Sequence, residues 1–153
     1  MFTAFRQPYD RAASWLSGIL PESIMLLFVR IVLAGVFWRS GRSKLDEGSW
    51  FTISETSYEL FRTEYAGVPL PPDLAAVAAT GAEHLFPILL VLGLFTRLSA
   101  MALLVMTMVI QIFVYPEAWW PVHTLWVALA LVLVVRGGGL LSLDTPLARK
   151  VRR

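Results

Sequence analysis

The chain has 153 residues, 57% of them hydrophobic and 16% charged, with a formal net charge of +2 and a mean hydropathy of +0.66. A soluble domain of this length carries about a quarter charged residues, so the composition excludes an ordinary soluble enzyme and points to an all-α integral membrane protein. The lack of cysteine removes thiolate catalysis, disulfide exchange, iron–sulfur clusters and c-type haem from what the chain can do alone; nucleic acid is not an expected partner.

Arg6 and Arg11 precede a span-length apolar run with no small-x-small site after it, so no cleaved signal peptide is expected. Spanning a bilayer takes about 20 mostly apolar residues. Four segments meet that length, at about 22–40, 73–95, 98–115 and 119–136. They predict a four-transmembrane-helix bundle that occupies the whole chain as one domain. Thr96 and Arg97 are the turn expected between the second and third spans, which then form a tight hairpin. In PEAWWP, Pro116 suits a helix stop and Pro121 a first-turn helix start.

The connection between spans one and two is too long for a simple loop. Its stretch WFTISETSYELFRTEYA, about 50–66, places Trp50, Phe51, Ile53, Tyr58, Phe61 and Tyr65 on one side of a helix. Thr52, Glu55, Glu59 and Arg62 fall opposite. An amphipathic helix on the outer surface of the bundle is predicted, with Glu64 as its one misfit.

Lys and Arg set the orientation. Arg6, Arg11, Arg97, Arg136, Arg149, Lys150, Arg152 and Arg153 fall on one side; Arg39, Arg42, Lys44 and Arg62, diluted by seven acids, fall on the other. Eight against four puts both termini on the cytoplasmic side. Trp38, Trp50, Tyr115, Trp119 and Trp120 gather at the outer boundary, as an interfacial belt does. The basic tail at 145–153 sets topology and meets anionic head groups.

Ionisable groups inside a membrane face the bundle interior and find partners. Arg30 lies mid-way along span one, and Glu83 and His84 mid-way along span two. Each lies roughly 15 Å from the outer end of its span, so an Arg30–Glu83 ion pair is expected. Pro87 lacks the N–H that would meet the Glu83 carbonyl. Thr80 adds a hydroxyl to that face, and Gly81 permits close helix approach. Lys44, Gln111, Thr107 and His123 are polar groups nearer the outer end. His84 and His123 differ by roughly 12 Å in depth, so no shared metal is expected. Met101, Met106 and Met108 are read as packing residues rather than copper ligands.

Four features recur in order: Arg30 in span one, GRSK at Gly41–Lys44, Glu83 followed by LLVLGLFTRLSA at Leu89–Ala100, and GGGLLSLD at Gly137–Asp144. In this set the chain resembles the DoxX family of small four-helix bacterial membrane proteins. It departs where GGG replaces the family's frequent Gly-Pro-Gly. The resemblance implies a membrane subunit of a redox or oxidative-stress system, with a soluble or membrane redox partner. Its polar intramembrane site would take a quinone head group or relay protons. Arg30, Lys44, Thr80, Glu83, His84, Gln111 and His123 are the candidate cofactor-binding residues, and Glu83, His84 and Arg30 the candidates for chemistry. Two alternatives compete. One is a non-enzymatic assembly or scaffold protein with a structural Arg–Glu pair. The other is a small transporter or metal-stress component, working as a homodimer.

Overall fold

The structure, a computed structural model, describes residues 10, 11, 13–15 and 18–151. Arg6, Arg152 and Arg153, counted above for orientation, lie outside the described residues. The helices are α1 (Ile19–Ser43), α2 (Glu55–Thr63), α3 (Pro72–Leu92), α4 (Thr96–Phe113), α5 (Thr124–Arg136) and α6 (Asp144–Val151). A 3-10 turn at Pro116–Ala118 and a π turn at Trp119–His123 lead into α5. The segments Leu20–Ser43, Pro72–Leu92, Thr96–Phe113 and Pro116–Arg136 are each long and apolar enough to cross a membrane. No strand longer than the single Leu45–Ile53 bridge occurs among the described residues.

Helices α1, α3, α4 and α5 form a closed ring in which α1 packs on α3, α3 on α4, α4 on α5 and α5 back on α1. Leu26, Leu33, Phe37, Leu90, Leu103 and Leu133 fill its centre. Phe37 meets Trp126 with ring centroids 5.6 Å apart. Outside, Phe28, Leu85, Val105, Leu125 and Val135 are exposed. An exterior this apolar needs lipid around it, since water would not tolerate so wide a patch.

Helix α2 begins five residues later than the sequence periodicity predicts. Ser54 is its N-cap, with a side chain that accepts from the Ser57 N–H, as a serine at that position favours. The residues before it are committed elsewhere: the Ser49 hydroxyl accepts from the Phe51 and Thr52 N–H groups, and the Ser54 N–H donates to the Lys44 carbonyl. Phe61 and Tyr65 pack over Ala75, Ala76 and Ala79 of α3. The misfit Glu64 takes a hydrogen bond from the Tyr115 hydroxyl, and that carboxylate pushes the Tyr115 pKa up. On the exposed face Arg62 meets Glu55, Glu59 and Asp73.

The α3–α4 turn lies three residues earlier than expected and is one residue longer. Thr96 and Arg97 belong to the first turn of α4, and the connection is Gly93–Phe95. Gly93, at φ +69°, closes α3 by donating to the Leu90 carbonyl while Leu94 donates to that of Leu89. Phe95 sits at φ +50°, a conformation costly for a bulky residue. Asp144 holds it there. One carboxylate oxygen accepts from the Phe95 N–H at 2.7 Å and the other from the Thr96 N–H at 2.9 Å. A residue 48 positions away thus caps the start of α4. Of the segment 145–153, expected as a basic tail, residues 145–151 continue from Asp144 as α6.

The expected Arg30–Glu83 pair does not form, because α1 and α3 are staggered. Gly41, two residues from the end of α1, lies against Glu83 and His84, eleven residues into α3. That is an offset of about nine residues, or roughly 14 Å. Depths measured from the helix ends are wrong by that amount. Arg30 consequently lies level with the last turn of α3, where it is 1% exposed. Its Nε donates to the Leu90 carbonyl at 2.7 Å and its Nη2 to the Val91 carbonyl at 2.7 Å. Its Nη1 donates to the carbonyls of Gly138 at 3.0 Å and Leu141 at 2.8 Å. Carbonyls at a helix C-terminus lack intrahelical donors and carry partial negative charge, so a guanidinium suits them.

Truncating Arg30 orphans the Val91, Gly138 and Leu141 carbonyls, at about 1–3 kcal/mol per buried group. Arg30→Leu is therefore expected to lower the thermal unfolding midpoint sharply and to reduce membrane accumulation. Arg30→Lys, with its charge but no planar fork, should recover only part. Tryptophan fluorescence during heating of detergent-purified protein measures this.

Candidate functional site

The stagger leaves the half of α3 nearest Pro72 uncovered by α1, and α2 covers it instead. Where the two coverings meet, Lys44, one residue past the end of α1, turns back towards the bundle. Its Nζ lies 2.7 Å from Glu83 Oε2 and 3.0 Å from Oε1, with both side chains buried. Ser40 completes the group: its hydroxyl donates to Glu83 Oε1 at 3.0 Å and accepts from Lys44 at 2.9 Å. A charge pair out of water holds only when its remaining lone pairs and protons are also bonded, and Ser40 supplies that. The spacing Ser40–Lys44 (i, i+4) puts both on one face of α1, a signal present in the sequence. Glu83 alone could not choose between two basic partners on the same neighbouring helix.

The pair lines one end of a cavity of about 280 Å³ between α2, α3 and α4. Ala75, Ala79 and Ala82 make one wall, Met106 and Ile110 another, and Phe61 and Tyr65 the roof. Ala78 and Val105, which also line it, are exposed on the bundle exterior, so the cavity opens sideways between α3 and α4. Burial, reinforced by the Glu83 and Glu64 charges, pushes the Tyr65 hydroxyl pKa up. Tyr65 therefore keeps its proton and is hydrogen-bonded through its hydroxyl with Tyr115. It was read in the sequence only as part of an apolar stripe.

His84 sits on the turn next to the ion pair. Its Nδ1 lies 2.7 Å from the Thr80 carbonyl; a carbonyl only accepts, so the proton is on Nδ1 in the neutral ring. Nε2 is then an acceptor, buried and without a hydrogen-bond partner among the described residues, as is the Thr80 hydroxyl. Trp38 packs edge-on against the imidazole at 5.1 Å. Gly41 is required here, because a Cβ would lie 2.8 Å from His84 Cε1. α3 runs as a single helix through Pro87, which is buried.

The remaining candidates lie apart from this group. His123, buried beside Trp126, has Nδ1 2.7 Å from Gln111 Oε1, and Gln111 Nε2 donates to the Pro116 carbonyl at 2.8 Å. These contacts tie the α4–α5 turn to α4, and neither residue lines the cavity. Thr107 donates to the Leu103 carbonyl of its own helix. Arg30 belongs to the α3–α4 turn. Among the described residues, no three His, Cys, Asp or Glu side chains form a group able to hold a metal ion.

A ring of four apolar helices, with an amphipathic helix laid against it and a buried Lys–Glu pair, defines a small multi-pass membrane protein. Residues 25–116 match the DoxX family, and the chain belongs to that family. An uncharacterized protein of Haemophilus influenzae is 31% identical to it over 145 residues, which cover 85% of this chain and 87% of that protein. No solved structure matches the chain. The family match takes in Arg30, Lys44 and Glu83 but stops before Gly137–Asp144.

Removing one member of a buried ion pair costs about 3–5 kcal/mol, whereas replacing both by apolar residues is often neutral. Glu83→Ala is therefore expected to reduce the monodisperse protein recovered after solubilisation, and Lys44→Met/Glu83→Leu to restore it. Size-exclusion chromatography of a fluorescent fusion reads both.

Proposed function

We propose that the chain binds a quinone head group in the cavity between α2, α3 and α4, as the membrane subunit of a redox or oxidative-stress system. The observation that carries this reading is an apolar cavity, open to lipid, whose charged lining residues are Lys44 and Glu83. Its 280 Å³ is close to the lower end of the about 300–1,000 Å³ usual for small-molecule sites. That suits a ring whose apolar tail leaves through the lateral opening. The lining also holds an ammonium and a hydroxyl, on Lys44 and Tyr65, of the kind that hydrogen-bond to quinone oxygens.

A quinone supplies two-electron, two-proton redox chemistry, which the cysteine-free chain otherwise lacks. Lys44 and Glu83 are within hydrogen-bond distance, so a proton can pass between ammonium and carboxylate with little motion. Alanine and methionine walls keep the pair out of water, and its charges act more strongly in that apolar setting. Electrons come from a redox partner. The orientation follows the basic residues: both termini cytoplasmic in a bacterial inner membrane, with Lys44, α2 and the cavity mouth towards the far side.

A second reading, a non-enzymatic scaffold, draws on Arg30, whose bonds all run to backbone carbonyls. Such a group holds the fold and needs no substrate.

The test is extraction of purified protein and chromatography of what it releases, with a titration of a short-chain benzoquinone. Wild type is expected to carry or saturably bind quinone, and Lys44→Met/Glu83→Leu to fold and lose it. Release of phospholipid alone, with no saturable binding, leaves the scaffold reading standing.

A further inference from the structure

At the opposite end of the bundle, the two motifs that the cavity does not use come together. A pocket of about 530 Å³ lies between the start of α4 and the end of α5, lined by Thr96, Arg97, Arg136, Gly137, Gly138 and Thr145, among others. We propose that it is a phosphate site, occupied by the phosphodiester of an anionic phospholipid.

Charge is the first argument. Arg97 makes no hydrogen bond or ion pair among the described residues, and all eleven Asp and Glu of the chain are among them. Arg136 meets Glu22 at 3.4 Å, with Arg136 exposed and Glu22 half-buried. Asp144 is the acid in the pocket lining, and each of its carboxylate oxygens already accepts a backbone N–H. The lining thus holds two guanidinium groups and one engaged carboxylate, with Glu22 outside it paired to Arg136. Arginine's planar fork matches phosphate oxygens two at a time.

Shape is the second. An exposed arginine at a membrane surface ordinarily extends into water. Arg97 instead lies over Gly137, where a Cβ would be 3.3 Å from its Nε. At Gly138 a Cβ would collide with Ser142 and with Thr96 Oγ1, at 2.6 and 2.7 Å. Gly137 therefore leaves bare backbone beneath the guanidinium, while Gly138 admits the close packing of Ser142 and Thr96. Thr96 Oγ1, in a fully buried residue of the lining, has no partner of its own.

Location is the third. Phe95, Leu98 and Leu147 beside the pocket are exposed, so apolar surface adjoins the charged rim as acyl chains adjoin a head group. Basic pockets between transmembrane helices take anionic head groups on these terms.

Native mass spectrometry of the detergent-purified full chain tests the site by titration with phosphatidylglycerol, phosphatidylcholine or inorganic phosphate. Wild type is expected to bind phosphatidylglycerol about fivefold more tightly than Arg97→Gln or Arg136→Gln. Arg97→Lys should retain part of that affinity. Arg39→Gln, at an exposed arginine of the other end, should match wild type. Arg97-dependent binding of inorganic phosphate without phosphatidylglycerol keeps the phosphate site and assigns its source to solution. Equal phosphatidylglycerol binding by wild type, Arg97→Gln and Arg136→Gln, or equal binding of phosphatidylcholine, overturns the proposal. If Arg97→Gln does not accumulate, Arg136→Gln carries the same reading.

Discussion

Every helix that ends inside or at the edge of a bilayer leaves backbone groups that lipid cannot satisfy, and the α3–α4 turn meets that demand for every free carbonyl at the end of α3. The last four carbonyls of α3 find donors in Leu94, Gly93 with Arg30, Arg30 again, and the Leu143 N–H. Asp144 takes the first N–H groups of α4. One cation and one anion, drawn from distant parts of the chain, thereby fasten the 137–144 segment to a three-residue turn. An unsatisfied polar group in hydrocarbon costs several kcal/mol, so this turn is where the fold has least freedom.

The cavity follows from the same constraint at a distance. With Arg30 tied to the last turn of α3, the register of α1 against α3 is set, and α1 ends well short of the other end of α3. The uncovered length is closed by α2, whose Phe61, with Tyr65 just beyond the helix, roofs a space that a longer α1 would have filled. Lys44 lies at the seam and meets Glu83 there. The two charged groups of the membrane interior thus divide their roles: Arg30 holds the fold, and the Lys44–Glu83 pair offers a polar end to an apolar chamber.

Much of this was legible in the sequence. Four apolar runs of bilayer length require four helices, because only a helix satisfies its own backbone in lipid. The three-to-four-residue spacing of Tyr58, Phe61 and Tyr65 specified the buried face of α2. That Arg30 and Glu83 must find partners was plain from the cost of placing such groups in an apolar stretch. Even the odd Glu64 signalled a partner, which is Tyr115.

Pairing was not legible. Opposite charges on antiparallel helices attract wherever the register brings them level, and the register is a property of two helices together. It rests on which carbonyls Arg30 reaches and on where Gly41 lets α1 approach His84, contacts made between residues 43 to 111 positions apart. The late start of α2 was hidden for a related reason, since helical periodicity continues through Trp50–Ile53 although Ser49 and Lys44 have already claimed that backbone. The sequence by itself determined the spans, the amphipathic helix and the residues that must find partners, because hydropathy and periodicity act locally. Tertiary structure alone decided which partner each one found, because a nine-residue stagger leaves no trace in either.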